Sequence, residues 1–145
     1  MKAVIVCAST QHGNTRKLVD AIAKEYEVDI IDSTKVAEAD LSGYDLIGFA
    51  SGIYAAHFHQ SILAFMDKNL PGGKKVFFIC TSAMKKDFTK QVRAKASEKG
   101  CEVVGAFNCM GYNTFGPFKL VGGTAKGHPD ATDISNVLSF YKGLW

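Results

Sequence analysis

Apolar residues follow two alternating rhythms along this chain. Strand-like runs occur at Lys2–Ala8, Tyr44–Ser51, Lys75–Cys80 and Glu102–Cys109, with a shorter, more polar one at Val28–Asp32. The first four are nearly continuous, as expected of parallel strands covered on both faces. Between the runs, apolar residues recur at helical spacing. One such pattern is Leu18, Ile22 and Tyr26 with Val19 beside them; the next two are Phe58, Ile62, Phe65, Met66 and Phe88, Val92, Ala96. The last is Ile134, Val137, Leu138, Tyr141, with Asp130 or Thr132 as its cap. The stretch from Ser33 to Gly43 has room for only a short helix, and Pro71-Gly72-Gly73 marks a turn. No linker or repeat interrupts the alternation, so one domain over residues 1–145 is predicted. The fold class is α/β: a three-layer α/β/α sandwich with an open five-stranded parallel sheet and right-handed crossovers. Ligands of such sheets sit beyond the carboxyl ends of the strands, at a switch point.

The loop that leaves the first strand run carries the strongest chemical signal. Ser9, Thr10, Gln11, His12, Gly13, Asn14 and Thr15 follow an apolar run and open a helical one. A helix start has backbone N–H groups with no intrahelical acceptor and a partial positive charge, which suits a phosphate. Ser9, Thr10, Asn14 and Thr15 can add side-chain bonds, and Gly13 allows a tight turn and close approach. A single hydroxyl there would read as an ordinary helix cap. The run of hydroxyls, amides and a glycine reads as phosphate binding.

Composition narrows the field without changing this picture. The chain has 145 residues, enough for a two-sided core, with 47% hydrophobic and 21% charged residues. Its net charge of +3, from 17 basic against 14 acidic residues, predicts no nucleic-acid partner. The longest uncharged stretch, Leu46 to Ala56, is too short and polar for a membrane span, and the amino-terminal run lacks signal-peptide form, so a cytoplasmic protein is expected. Cys7, Cys80, Cys101 and Cys109 show no C-x-x-C spacing and should be reduced.

At the phosphate loop the chain resembles the flavodoxin-like FMN proteins, whose loop reads Ser/Thr-x-Thr-Gly-x-Thr. Thr10 stands at the first position, Gly13 at the glycine and Thr15 at the last, while His12 replaces the middle threonine. The resemblance implies sheet order 2-1-3-4-5, with FMN held by its phosphate and its ring between two further loops. The first of these would be Ser51, Gly52, Ile53, Tyr54 and Ala55, running on to Ala56. The second would be Thr81, Ser82, Ala83 and Met84, followed by Lys85 and Lys86. Gly52 could supply the peptide that flips beneath a flavin, and Tyr54 an aromatic wall or a packing residue. The segment through His57, Phe58 and His59 is also similar to the ring loop of flavodoxin-like protoporphyrinogen dehydrogenases, where a histidine could move a proton. A capping or solvent-exposed role for these two histidines is the simpler reading.

Three functions follow from the resemblance. A carrier would pass single electrons to a redox partner protein. An enzyme would reduce a quinone or porphyrinogen-like molecule with an electron pair. A flavin-free binding module would use the fold alone. Lys85, Lys86, Lys90, Arg93, Lys95 and Lys99 surround the second ring loop or follow it, unlike the acidic carriers of the family. A unit charge about 8 Å from a reduced flavin contributes about 2 kcal/mol at an effective dielectric near 20, so reduction should be easier here. The same basic helix suits an acidic partner, or is simply a solvated face. The chain is expected as a monomer or homodimer.

Other chemistries lack their residues. No Gly-Lys-Ser/Thr follows the loop, as a Walker A requires, and Gly48-Phe49-Ala50-Ser51-Gly52 lacks the nucleophile-elbow spacing. A cysteine phosphatase would need arginine where Gly13 follows Cys7, and a receiver domain would need acids at Ser9, Thr10 and Ser51. His57 and His59 alone do not make a metal site. The segment from Met110 to Pro129 has aromatics that could cover the sheet edge or a flavin ring, or present a partner surface, with covering the core as the default.

Overall fold

The computed structural model describes residues 2–8, 13–82, 86–110 and 129–145. Strands β1 (Ala3–Ala8), β2 (Val28–Asp32), β3 (Leu46–Tyr54), β4 (His57–Phe58), β5 (Lys75–Ser82) and β6 (Glu102–Met110) alternate with helices α1 (Asn14–Glu25), α2 (Gln60–Asn69), α3 (Lys90–Glu98) and α4 (Ala131–Lys142). The strands order as β2-β1-β3-β5-β6, with β4 paired to β3. The five expected parallel strands thus take the expected 2-1-3-4-5 order. The short antiparallel β4 makes the sheet six-stranded, a correction to the sequence reading.

The near-continuous apolar runs become central strands because both of their faces are buried. On β1, Val4, Val6 and Ala8 join a core under α2 and α3, while Ala3, Ile5 and Cys7 join one under α1 and α4. On β5 the neighbours Phe78 and Phe77 divide in the same way. The more polar run, β2, takes an edge, where Asp29 can face solvent. Gly48 is required by close approach: it pairs with Phe77, and a Cβ there would lie 2.2 Å from the phenyl ring.

Four local expectations are corrected. Strand β3 runs on to Tyr54, so Ser51 to Tyr54 are strand residues rather than loop. Thr81 and Ser82 likewise belong to β5. Phe58 lies in β4 and Phe88 precedes α3, so neither extends a helix, although Phe58 is buried in the core. The stretch from Ser33 to Gly43 forms turns, with no helix. All four cysteines are buried free thiols. Among the described residues, no helix is long and apolar enough to cross a membrane.

Candidate functional site

The parallel strands carry their carboxyl ends to one edge of the sheet, and the described candidate residues gather there. Ala8 pairs with Ser51, and Gly52 with Thr81. The Thr15 hydroxyl, at the start of α1, shares a buried 2.9 Å hydrogen bond with the Thr81 hydroxyl. That bond ties the start of α1 to the end of β5 across 66 residues of sequence. Ser9, Thr10, Gln11, His12, Ala83 and Met84 lie outside the described residues.

Helix α1 begins on Gly13, whose φ of 64° lies in the left-handed region that glycine enters without steric cost. Beyond its chain neighbours, no described residue comes within 4 Å of the position its Cβ would take. The first backward bond of the helix runs from the Lys17 N–H to the Gly13 carbonyl at 3.0 Å. The N–H groups ahead of Lys17 therefore lie at the positive end of the helix dipole. Asn14 and Thr15 are buried beneath this start. Such a start offers donors and positive potential to an anion.

The segment after β3 is a tight hairpin. Tyr54 pairs with His57 and Ile53 with Phe58 across a two-residue turn of Ala55 and Ala56. Both alanines have positive φ, 49° and 68°, where a non-glycine residue costs about 1–2 kcal/mol. The hairpin is held in place by polar side chains. The Ser51 hydroxyl donates to the Gly52 carbonyl at 2.5 Å and accepts from the His59 N–H at 2.9 Å. His59 caps α2, its Nδ1 accepting from the Ser61 N–H at 3.0 Å. The Tyr54 ring packs edge-on against His59 at 5.1 Å and folds back over Gly52. Ile53 packs toward the core, and Ala55 is exposed at the tip.

Asn108 braces the opposite side, and sequence reasoning missed it. Its side chain accepts from the Ser82 hydroxyl at 3.3 Å and donates to the Lys86 carbonyl at 2.7 Å. A lone amide near the end of an apolar strand run was the available signal. Asp87 then orders the segment leading into α3, accepting from the Thr89 N–H at 2.9 Å and hydroxyl at 2.5 Å. Those bonds hold the Asp87 carboxyl below its ordinary range.

Residues 5–116 match the model of the flavodoxin domain. The chain belongs to the flavodoxin family. An uncharacterized protein of Methanocaldococcus jannaschii is 43% identical over 99% of this chain and 98% of its own. Among solved structures, a flavodoxin from the domain Archaea superposes with a TM-score of 0.68 at 18% identity, covering 99% of both chains. A flavoprotein in complex with FMN from Lactobacillus acidophilus NCFM superposes with a TM-score of 0.57 at 18% identity, covering 74% of this chain and 93% of that one. At such identities the two structures establish the fold.

The basic helix of this flavodoxin-family chain is less uniform than its sequence suggests. Lys95 pairs with Asp67 at 2.9 Å on the adjacent α2. Lys99 Nζ donates to the carbonyls of Met66, Asp67 and Leu70 at 2.7, 2.9 and 3.1 Å, closing the carboxyl end of α2. These two lysines serve helix packing. Among the described residues, Lys86 and Lys90 are exposed cations near the hairpin.

Proposed function

We propose that this chain binds FMN and acts as an electron carrier between proteins. The start of α1 supports this reading most directly. A left-handed Gly13 and a buried Thr15 tied to Thr81 stand at the carboxyl edge of a flavodoxin sheet. FMN, when bound, supplies the electron-accepting chemistry. The residues present fit its phosphate: N–H groups of the first turn of α1 as donors, with Thr10 and Thr15 adding hydroxyls. Thr81 keeps the Thr15 hydroxyl oriented. The hairpin of Ala55 and Ala56 and the segment braced by Asn108 flank the edge where the ring loops of the family lie. Held at this edge, the cofactor would be positioned by its phosphate, and the exposed Ala55–Ala56 turn would lie beside it.

The double variant Thr10→Ala, Thr15→Ala tests the phosphate assignment. FMN affinity should fall about a hundredfold, equivalent to two hydrogen bonds to a charged group, while riboflavin binding changes little. Unchanged FMN affinity would move the site elsewhere. The alternative enzyme would take electrons in pairs and reduce a quinone. Stepwise reductive titration of the loaded protein separates the two: resolved one-electron steps belong to a carrier, and rapid quinone turnover with a reduced nicotinamide belongs to an enzyme.

A further inference from the structure

Cations near the hairpin differ in what they already hold. Lys95 and Lys99 are bound to α2, and Arg93 Nε donates to the Thr89 hydroxyl at 2.8 Å. Lys86 and Lys90 are exposed and have no carboxylate partner among the described residues. They border a groove of about 490 Å³ that runs from the hairpin to the outer side of α3, lined by Ala56, His57, Lys86, Phe88, Lys90 and Ala94. Phe88, half-buried, and the two alanines give it an apolar floor; the Lys86 ammonium lies 6.0 Å from the centre of the Phe88 ring.

The groove also contains a carboxylate, Asp87, but that group accepts two bonds from Thr89 and is turned into its own loop. The amino end of α3 adds its positive dipole to the same side. Among the described residues, Gly13, Thr15, Thr81 and Ser82 do not line this groove, which borders the strand-end site at Ala56 and Lys86. Unpaired ammonium groups over an apolar floor complement carboxylates that flank an apolar side chain, and they repel a basic surface. A second copy of this chain, with net charge +3, is a poor occupant on the same grounds.

We propose that this groove docks the acidic surface of a redox partner, setting it against the Ala55–Ala56 hairpin; the inference rests on the carrier reading above. Lys86 and Lys90 steer and hold the partner, and Phe88 receives its apolar side chain. The neighbouring Lys95 and Lys99 take no part, because their charges are held by α2.

The test is an amide NMR titration of the full, flavin-stripped chain with hexaglutamate at low salt. Saturable shifts should be confined to Ala56, His57 and residues 86–94. Raising salt should weaken them, since the screening length shortens to about 10 Å at 0.1 M. The Lys86→Glu, Lys90→Glu pair should weaken binding about tenfold or more, and Lys86→Gln, Lys90→Gln by an intermediate factor. Lys24→Glu, the same reversal on the last turn of α1, should change it less than about twofold. Shifts spread over the whole basic surface, or a pair reversal without effect, would overturn the proposal. So would concentration-dependent self-association abolished by the pair, which would place a second copy in the groove. Because the titration uses flavin-free protein, groove binding without FMN binding would leave the docking surface standing and remove the carrier reading. FMN binding without groove binding would do the reverse.

Discussion

Helices α1 and α4 pack side by side on the same face of the sheet, yet they begin in opposite ways. Helix α4 starts on Asp130, whose carboxylate accepts from the Asp133 N–H at 3.0 Å, while Asp133 accepts from the Asp130 N–H at 2.9 Å. Its first turn is closed by its own two carboxylates, a reciprocal capping box. Helix α1 starts on Gly13, which has no side chain to offer. One helix start is answered within the chain and carries a negative charge. The other receives no side-chain cap from its first residue and carries no acid in its first turn. This difference favours α1 over α4 for the phosphate proposed above.

The strongest way to break the contrast is to give α1 the start that α4 has. Gly13→Asp places a carboxylate where the phosphate would sit, and FMN affinity should fall about a hundredfold or more, from repulsion of like charges a few ångströms apart. Gly13→Asn, of the same shape without the charge, should lose about tenfold, mainly through the strained backbone. Equal losses in the two variants, read by fluorescence titration, would mean that charge at this position is irrelevant.

Next in size is the bond that anchors α1. Thr15→Val leaves the Thr81 hydroxyl without its buried partner and should cost about 1–3 kcal/mol in denaturant melts. The same variant should weaken FMN binding about tenfold, through one lost bond to a charged group. A stability loss with intact FMN affinity would confine Thr15 to a structural role.

A third prediction uses pH. Burial pushes the thiols of Cys7, on the strand leading to α1, and Cys80, on β5, from 9.0 up to about 12. The unfolded chain ionises them near 9, so the folded state holds its protons longer and is favoured fully only below that pH. Stability should fall from about pH 9 upward, by about 1 kcal/mol per thiol at pH 10. A Cys7→Ala, Cys80→Ala protein should lose that part of the alkaline slope. An unchanged slope would assign it to other groups.

The smallest effect should come from α4. Asp130→Ala opens its first turn and should cost about 1 kcal/mol of stability. FMN affinity should stay the same, because this helix start is not the phosphate site. A change in FMN affinity would erase the distinction between the two helices.

The sequence made some of these features plain and hid others for physical reasons. The apolar run of β1 was legible because a strand buried on both faces leaves an uninterrupted signature, whereas Ser9, Thr10, Gln11 and His12 after it lie outside the described residues. The Asp130 cap was legible as one of two candidates. The hairpin was not, because its turn is Ala55-Ala56 and lacks the glycine or asparagine that usually marks positive φ. The spacing of Phe58 to Ile62 fits a helical turn, while the tertiary structure pairs Phe58 with Ile53. The Thr15–Thr81 bond joins residues remote in sequence, so no local pattern could announce it. The basic helix shows the same limit. Only the placement of Asp67 and of the α2 carbonyls separates Lys95 and Lys99 from Lys86 and Lys90.

The most direct measurement is a fluorescence titration of the purified, flavin-stripped chain with FMN, using riboflavin as the control. The account expects tight FMN binding and much weaker riboflavin binding, with the phosphate at the open start of α1 supplying the difference. Equal affinity for the two, or binding of neither, would contradict it.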